Sequence, residues 1–308
     1  MAPPSPTTSI DRRGVTAAVI AACAWSATGI FVRQLPDLSP LSIVAGRFTI
    51  AMLAAAPLLR GPTRRQVVAA VRSTMAWTLA LLMVGSYLLA VIAFQLTSIA
   101  EATLLLGTSP LFALAYKLIR GHPSPPTEQV GALLTMAGVT LIVAPGLTAG
   151  ASLLSGRLLG NLLALTAGGL IAGYSLTYRM ARLRDEAPSA RSTTIFTFGV
   201  GALGMLAGTL LLDGPAALTA WAELPTIGPL VGLGVLSTVV PTTAYAIASS
   251  RIPSVVATSI RMLTPLMATV LAAVLLRELP SWWTLPGGLL IIAGLLVMTV
   301  IRRGSTPR

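Results

Sequence analysis

The chain has 308 residues, of which 55% are hydrophobic and 10% charged, and its mean hydropathy is +0.84. A soluble chain of this length would hold about two domains, but apolar stretches recur along almost the whole length. Each is roughly 18–24 residues long, which is enough to cross a hydrocarbon layer ~30 Å thick. The sequence therefore predicts an all-α integral membrane protein and excludes an ordinary soluble fold.

Charge and the rare residue types exclude several kinds of site. The net charge of +12 is spread over short loops between apolar stretches, whereas a nucleic-acid-binding protein would gather it on one soluble face. Cys23 is the only cysteine, so neither a disulfide framework nor a paired-cysteine zinc site is available. His122 is the only histidine and lies in a loop, which excludes a histidine-based metal motif. We expect no metal and no other cofactor.

Ten membrane-spanning helices are predicted, after an N-terminal tail, residues 1–13, that is rich in Pro, Ser and Thr and expected to be disordered in the cytoplasm. The predicted spans are 14–32, 40–59, 75–94, 98–119, 127–145, 158–178, 192–212, 225–248, 253–276 and 282–301. A linker rich in Gly, Ser and Thr, residues 146–156, divides five spans from five. A short C-terminal tail, residues 302–308, follows the last span.

The loop charges predict the orientation. Sixteen Lys and Arg residues fall on the side of the membrane that holds the N-terminus, and only Arg33, Arg157 and Arg277 fall on the other side. Because cationic loops stay inside, both termini are expected in the cytoplasm, with the protein in the inner (plasma) membrane. Each half has an odd number of spans, so the two halves enter the membrane in opposite directions, as in an inverted-topology repeat.

The fourth and ninth spans contain the same pattern 155 residues apart. The matching pairs are Thr103 with Thr258, Ser109 with Thr264, and Pro110 with Pro265. Proline has no backbone N–H, so it leaves a carbonyl unpaired that lipid cannot solvate. Two spans with this defect at matching places are expected to line a polar space near the membrane midplane. We interpret Pro110 and Pro265, together with Pro241 in the eighth span, as hinge or gating positions.

The last span of each half carries two glycines seven residues apart, Gly131 and Gly138 in the fifth span and Gly287 and Gly294 in the tenth. With its five-plus-five spans, its Ser/Thr-Pro-Leu sequences in spans four and nine, and its helices GALLTMAG and GLLIIAG, the chain resembles the EamA branch of the drug/metabolite transporter superfamily. The resemblance covers residues 14–301. An acidic residue usually follows the fourth and ninth spans of that family; Glu278 fills this place in the second half, whereas His122 occupies it in the first.

The resemblance implies two five-helix repeats, residues 14–145 and 157–301. It also implies a central cavity lined by spans one, three, four, six, eight and nine. Proteins of this family move small metabolites, amino acids among them, often by export.

Three ionisable residues of the predicted spans are candidates for function, because charge is costly there: Arg47, Glu101 and Arg261. On a helix, Arg261 neighbours Thr258 and Pro265, which belong to the repeated pattern. We predict that Arg261 faces the cavity and binds an anionic group such as a carboxylate. The alternative is a structural arginine that pairs with unwound carbonyls near Pro265.

Glu101 is the only acidic residue among these three. It is a candidate proton-coupling site, but it lies half a turn away from the face that carries Thr103 and Pro110. The alternatives are an interfacial carboxylate that reaches toward water and an ion-pair partner for Arg47. Arg47 itself is interpreted as structural, the partner of Glu101 or of outer carbonyls.

Polar and aromatic side chains complete the candidate substrate site. Trp25, Tyr87, Tyr174 and Tyr245 fall in spans one, three, six and eight and could stack on a substrate. Gln95, Thr103 and Thr258 could donate hydrogen bonds to it.

These features predict a secondary active transporter, an exporter of small metabolites that works by alternating access. The hairpins formed by spans three and four and by spans eight and nine are interpreted as its two gates. A channel or a lipid or drug flippase could share this architecture.

An intramembrane enzyme is disfavoured because the spans contain no histidine or aspartate, and we expect no catalytic residues. The expected partners are a small-molecule substrate and membrane lipids, with no nucleic acid, and a monomer is compatible with the sequence.

Overall fold

A computed structural model describes residues 11–121, 123–148, 156–184, 189–252 and 254–300. These described residues are helical and contain no β-strand. The helices are α1 Arg12–Ser26, α2 Thr28–Arg33, α3 Pro40–Ala55, α4 Pro62–Ala70, α5 Thr74–Leu96, α6 Ile99–Leu106, α7 Ser109–Ile119, α8 Pro126–Thr148, α9 Gly156–Leu183, α10 Ala190–Leu212, α11 Ala216–Thr219, α12 Leu224–Val231, α13 Val240–Arg251, α14 Ser254–Arg261, α15 Leu263–Leu276 and α16 Thr284–Val300. Short 3-10 turns follow α3 and α11, and a π-helix, Gly232–Val239, joins α12 to α13.

The prediction of a multi-pass, all-α membrane protein is confirmed. Eight stretches of the described residues are long and apolar enough to cross a membrane: Arg12–Arg33, Pro40–Leu58, Thr74–Leu96, Ile99–Ile119, Pro126–Pro145, Gly156–Leu183, Ala190–Leu212 and Leu224–Arg251. The predicted ninth and tenth spans coincide with shorter apolar helices, Leu263–Leu276 and Thr284–Met298.

Polar side chains fix where several helices begin. Ser39, Ser73, Ser98 and Ser189 each precede a helix, and each hydroxyl oxygen accepts a hydrogen bond from the backbone N–H three residues later. These bonds satisfy N–H groups that have no partner inside the helix, typically worth ~1 kcal/mol each.

The first helix begins earlier than predicted, because the Asp11 carboxylate caps it. This carboxylate accepts the N–H of Arg13 at 2.9 Å and an N–H of Arg251, on α13, at 3.2 Å. The two interactions, first the backbone hydrogen bond and then the guanidinium, hold the pKa of Asp11 below its ordinary value. The rest of the predicted N-terminal tail, the C-terminal tail and most of the predicted linker lie outside the described residues.

The fourth and ninth predicted spans are each two helices. The first break, at Gly107 and Thr108, separates α6 from α7, and the second, at Met262, separates α14 from α15. Met262 lies 155 residues after Gly107, so both breaks occupy one position of the repeated pattern. Pro110 and Pro265 fall in the first turn after each break, where a backbone N–H has no helical partner in any case.

The most extensive helix contacts join the two halves of the chain. They are α1 with α13, α3 with α10, α5 with α9, and α8 with α16. In the last pair the predicted glycines meet directly. A Cβ atom on Gly131 would lie 2.6 Å from the carbonyl oxygen of Gly294, and one on Gly138 would lie 2.4 Å from that of Gly287. Only glycine permits so close an approach of the two backbones.

Candidate functional site

Three of the predicted substrate-binding residues converge beside the second helix break. Trp25 of α1 and Tyr245 of α13 lie with ring centroids 5.5 Å apart. The guanidinium carbon of Arg261, the last residue of α14, lies 5.2 Å from the Trp25 ring centroid and 6.0 Å from that of Tyr245. We call these three residues the arginine–aromatic cluster. The two rings hold the cation through cation–π contacts, which leaves its N–H groups for other partners.

Arg261 is half-buried and makes no hydrogen bond or ion pair with any described residue. The hydroxyl of Thr264, one turn further along, is buried and also lacks a hydrogen-bond partner among the described residues. Buried polar groups are nearly always hydrogen-bonded, so two unpaired groups at one helix break indicate a place where a ligand can supply the partner.

The remaining predicted binding residues do not join this cluster. Gln95, at the end of α5, donates from Nε2 to the Leu38 carbonyl at 3.3 Å. It lines a cleft of about 620 Å³ formed mainly by the loop that precedes α3. The hydroxyl of Thr103 donates to the Ile99 carbonyl of its own helix. The side chain of Thr258 lies outside the described part of the chain.

Two predicted aromatic residues have neighbours of their own. Tyr87 meets Phe48 edge to face, with centroids 5.3 Å apart. Tyr174 stacks on Tyr178 of the same helix, with centroids 6.2 Å apart and rings nearly parallel at 5°. These contacts place both tyrosines among helix-packing interactions.

Arg47 is fully buried and donates hydrogen bonds to the eighth predicted span. Its Nε donates to the Thr238 hydroxyl at 2.6 Å, its Nη2 donates to the Ser237 carbonyl at 2.8 Å, and its guanidinium lies 4.2 Å from the Tyr87 centroid. Pro241 has no N–H to donate to the Ser237 carbonyl four positions earlier, so this carbonyl can accept from Arg47. Arg47 thus binds a carbonyl and a hydroxyl midway along the eighth predicted span rather than outer carbonyls, and the expected pairing with Glu101 is wrong.

Glu101 instead forms an ion pair with Arg157. Its carboxylate is completely buried and accepts both Nε, at 3.1 Å, and Nη2 of Arg157. It also accepts hydrogen bonds from Thr97 at 2.9 Å, Asn161 at 3.2 Å and Thr284 at 3.0 Å. We call these five residues the Glu101 cluster. The expectation of an interfacial carboxylate that reaches water is wrong, since five protein donors replace the water.

A second acidic residue, Glu278, connects helices at the same end of the bundle. Glu278, in the loop after α15, accepts the N–H of Ile99 at 2.7 Å and so caps α6. Its other oxygen lies 3.7 Å from Nε of Arg33, whose Nη2 donates to the Thr97 carbonyl at 2.8 Å. Arg33 and Arg157, two of the three arginines predicted on the sparsely charged side, thus both serve buried or partly buried contacts.

The sequence contained one signal of the Glu101 cluster that was missed. Arg157 and Asn161 are four residues apart at the start of an apolar span, so they share one helix face. Polar residues on one face near the end of a span indicate a buried polar partner.

The fold and the site together define a polytopic membrane protein with interrupted helices around unpaired polar groups, a class that includes solute carriers. The model of the EamA-like transporter family matches residues 12–144 and again residues 158–300. The chain therefore belongs to the EamA-like transporter family, and with it to the drug/metabolite transporter superfamily.

Two relatives from Archaeoglobus fulgidus are each named an uncharacterized transporter. One is 27% identical over 284 residues, which cover 89% of this chain and 93% of the relative. The other is 25% identical over 290 residues, which cover 93% and 96%. A solved crystal structure covers 95% of this chain and 99% of its own, with a TM-score of 0.62 and 22% identity, and so shares the fold. The protein is a membrane transporter, and the comparisons point away from an enzyme.

Proposed function

We propose that this protein is a secondary active transporter that exports a small carboxylate-bearing metabolite by alternating access. The observation that carries the proposal is Arg261, a cation with no hydrogen-bond or ion-pair partner among the described residues, which lies beside Trp25 and Tyr245 at a helix break. A charge in a membrane interior is costly unless a partner compensates it. A substrate carboxylate is the partner that a guanidinium binds best.

The proposed architecture is a ten-helix bundle of two inverted five-helix repeats. The twofold match of the family model and the equivalent positions of the two helix breaks support it. The glycine contacts add a symmetry argument. By sequence Gly131 corresponds to Gly287 and Gly138 to Gly294, yet Gly131 contacts Gly294 and Gly138 contacts Gly287. Such a reciprocal exchange is what a two-fold axis between the repeats requires.

The helix pairs follow the same rule. Under exchange of the halves, the pair α1–α13 becomes α9–α5, and both pairs form extensive contacts. The pairs α3–α10 and α8–α16 exchange with themselves. This pattern supports alternating access in which one repeat rocks against the other.

The proposed gates lie at opposite ends and differ in chemistry. At one end, the Glu101 cluster joins α6 to α9 and α16 through a buried ion pair. At the other end, α1, α13 and α14 meet through an apolar cluster of Ala17, Ala18, Ala248, Ile252 and Ala257. We place the apolar end in the cytoplasm with both termini, and Pro110, Pro265 and Pro241 act as hinges between the ends. In this scheme Glu101 holds the helices of one gate together and is not a proton-coupling site, because Arg157 already compensates its charge.

Transport by the purified full chain in proteoliposomes tests the proposal. A panel of radiolabelled organic acids, amino acids, nucleosides and cations identifies a transported solute, and Arg261→Ala is then compared with Arg182→Ala. Arg182 is an exposed arginine near the end of α9 and serves as the matched control. We expect Arg261→Ala to lower uptake roughly 10- to 100-fold, since a charge-assisted hydrogen bond contributes about 1.5–3 kcal/mol. Wild-type uptake by a correctly inserted Arg261→Ala protein would contradict the assignment.

A further inference from the structure

The charged residues within the spans indicate the net charge of the substrate as well as its carboxylate group. Two acidic residues lie in the membrane-spanning helices of the described chain, Glu101 and Glu128. Glu101 is saturated by the five donors of its cluster. Glu128 pairs with Lys117 at 2.7 Å near the end of its helix. Within the described spans, therefore, the substrate finds an unpaired cation but no unpaired carboxylate.

The chemistry of Arg261 favours one planar anion. Its guanidinium contacts the rings of Trp25 and Tyr245 and donates no hydrogen bond to a described residue, so its planar set of N–H donors can form a bidentate pair with a carboxylate. The unpaired hydroxyl of Thr264, one turn away, can donate one further hydrogen bond. One guanidinium matches one negative charge, so a dianion such as a phosphate monoester would keep an uncompensated charge in the membrane.

The surroundings of the cluster are apolar. Tyr245 packs on the apolar cluster that contains Ala17, Ala248 and Ala257, and the Trp25 ring lies against Tyr245 with the ring centroids 5.5 Å apart. An aromatic or branched hydrocarbon body would pack against these side chains, whereas an α-ammonium group would lose its water there without gaining an acidic partner.

From this arrangement we infer that the substrate is a monoanionic carboxylate with an aromatic or other apolar body, selected against the zwitterionic amino acid of the same shape. The inference rests on the proposed function and narrows the substrate class of the same site. The cluster thus selects its substrate by charge. Arg261 is available to bind a carboxylate, whereas every described acid in the spans is already paired and cannot bind an ammonium group.

Three probes with one phenyl ring separate these charge states. 3-Phenylpropionate carries the carboxylate alone, phenylalanine carries both charges, and phenethylamine carries the ammonium alone. Binding to the detergent-purified full chain is measured by ligand-induced thermal shift, and counterflow of each probe is measured in proteoliposomes. We expect the dissociation constant of 3-phenylpropionate to be roughly 10- to 100-fold lower than that of phenylalanine, and phenethylamine not to bind.

Two variants connect the discrimination to the site. Arg261→Lys keeps the charge but loses the planar pair of donors, so 3-phenylpropionate should bind more weakly and still better than phenylalanine. Arg261→Gln should abolish the discrimination, and a wild-type elution profile in size-exclusion chromatography shows that each variant folds.

Phenylalanine binding as tight as that of 3-phenylpropionate, or no binding of 3-phenylpropionate, overturns the inference. If phenylalanine is also transported in an Arg261-dependent way, the proposed transporter function stands while this charge selection fails. If no solute of the wider panel is transported, the proposed function itself fails.

Discussion

The ion pair of the Glu101 cluster leads to a sharp prediction about stability. In Arg157→Ala, the carboxylate of Glu101 stays completely buried but loses its counter-charge. Removing one partner of a buried pair typically costs about 3–5 kcal/mol. The hydrogen bonds from Thr97, Asn161 and Thr284 remain and partly compensate, so we expect a loss of about 2–4 kcal/mol in the free energy of unfolding.

The reverse substitution should be milder. In Glu101→Gln the remaining charge is on Arg157, whose side chain is 44% exposed and can be hydrated. We expect a loss of about 1–2 kcal/mol, close to the value of the hydrogen bonds weakened. The double variant should resemble Glu101→Gln, because no buried charge is left unpaired, so the two single effects should be non-additive by about 2–4 kcal/mol.

Thermal unfolding of the purified variants in one detergent, followed by tryptophan fluorescence, measures the order of stabilities. The predicted order is wild type, then Glu101→Gln and the double variant together, then Arg157→Ala lowest. Arg182→Ala, which removes an exposed arginine from the same helix, should match the wild type. A double variant less stable than Arg157→Ala, or Arg157→Ala as stable as the wild type, would refute the buried-pair reasoning.

Three further predictions concern other parts of the fold. Gly131→Ala should lose about 1–3 kcal/mol through overpacking against α16, whereas Gly204→Ala, which meets open space, should be neutral or slightly stabilising in the same thermal assay. Arg47→Met should lose about 2 kcal/mol or more, because the Ser237 carbonyl then lacks its donor; unchanged unfolding would contradict that role. The pKa of Asp11 is lowered in the folded state, so its contribution is complete above the ordinary pKa of 3.8 and disappears as the pH falls through the lowered value. Asp11→Asn should therefore be less stable than the wild type at neutral pH and equal to it in strongly acidic buffer, and a pH-independent difference would contradict the assignment.

The features that could be predicted from the sequence are those that depend on local chemistry. The length of an apolar stretch shows whether it can span a membrane, and Pro110 and Pro265 have no backbone N–H with which to continue a helix from the preceding turn. The glycine pairs were also visible, because a repeated spacing does not depend on knowing the partner helix.

The partners of buried charges could not be predicted, because they depend on helix rotation and on distant segments. Arg157 is 56 residues from Glu101, and Ser237 is 190 residues from Arg47. Nothing in the span that contains Glu101 indicated a buried partner on α9. The Ser237 carbonyl, in turn, lies in a π-helix and four residues before Pro241, which has no N–H to donate to it.

Only part of the candidate site could be predicted, because side-chain contacts between distant segments depend on how the helices pack. Arg261, Trp25 and Tyr245 lie on three helices that the family resemblance assigned to one cavity, and the structure brings the three side chains together. Gln95 and Thr103 are polar residues in the expected helices, but their hydrogen bonds go to nearby carbonyls. A polar residue in a span is expected to be buried in protein. Its hydrogen-bond partner, however, depends on which backbone groups lie within reach in the folded structure.

The most direct test of the central claim is substrate uptake into proteoliposomes by the wild type, Arg261→Lys and Arg261→Ala at equal amounts of inserted protein. Arg261 is proposed to bind the carboxylate of the transported solute, so uptake should be highest for the wild type, reduced for Arg261→Lys and lost for Arg261→Ala. Equal uptake by all three proteins would contradict the account.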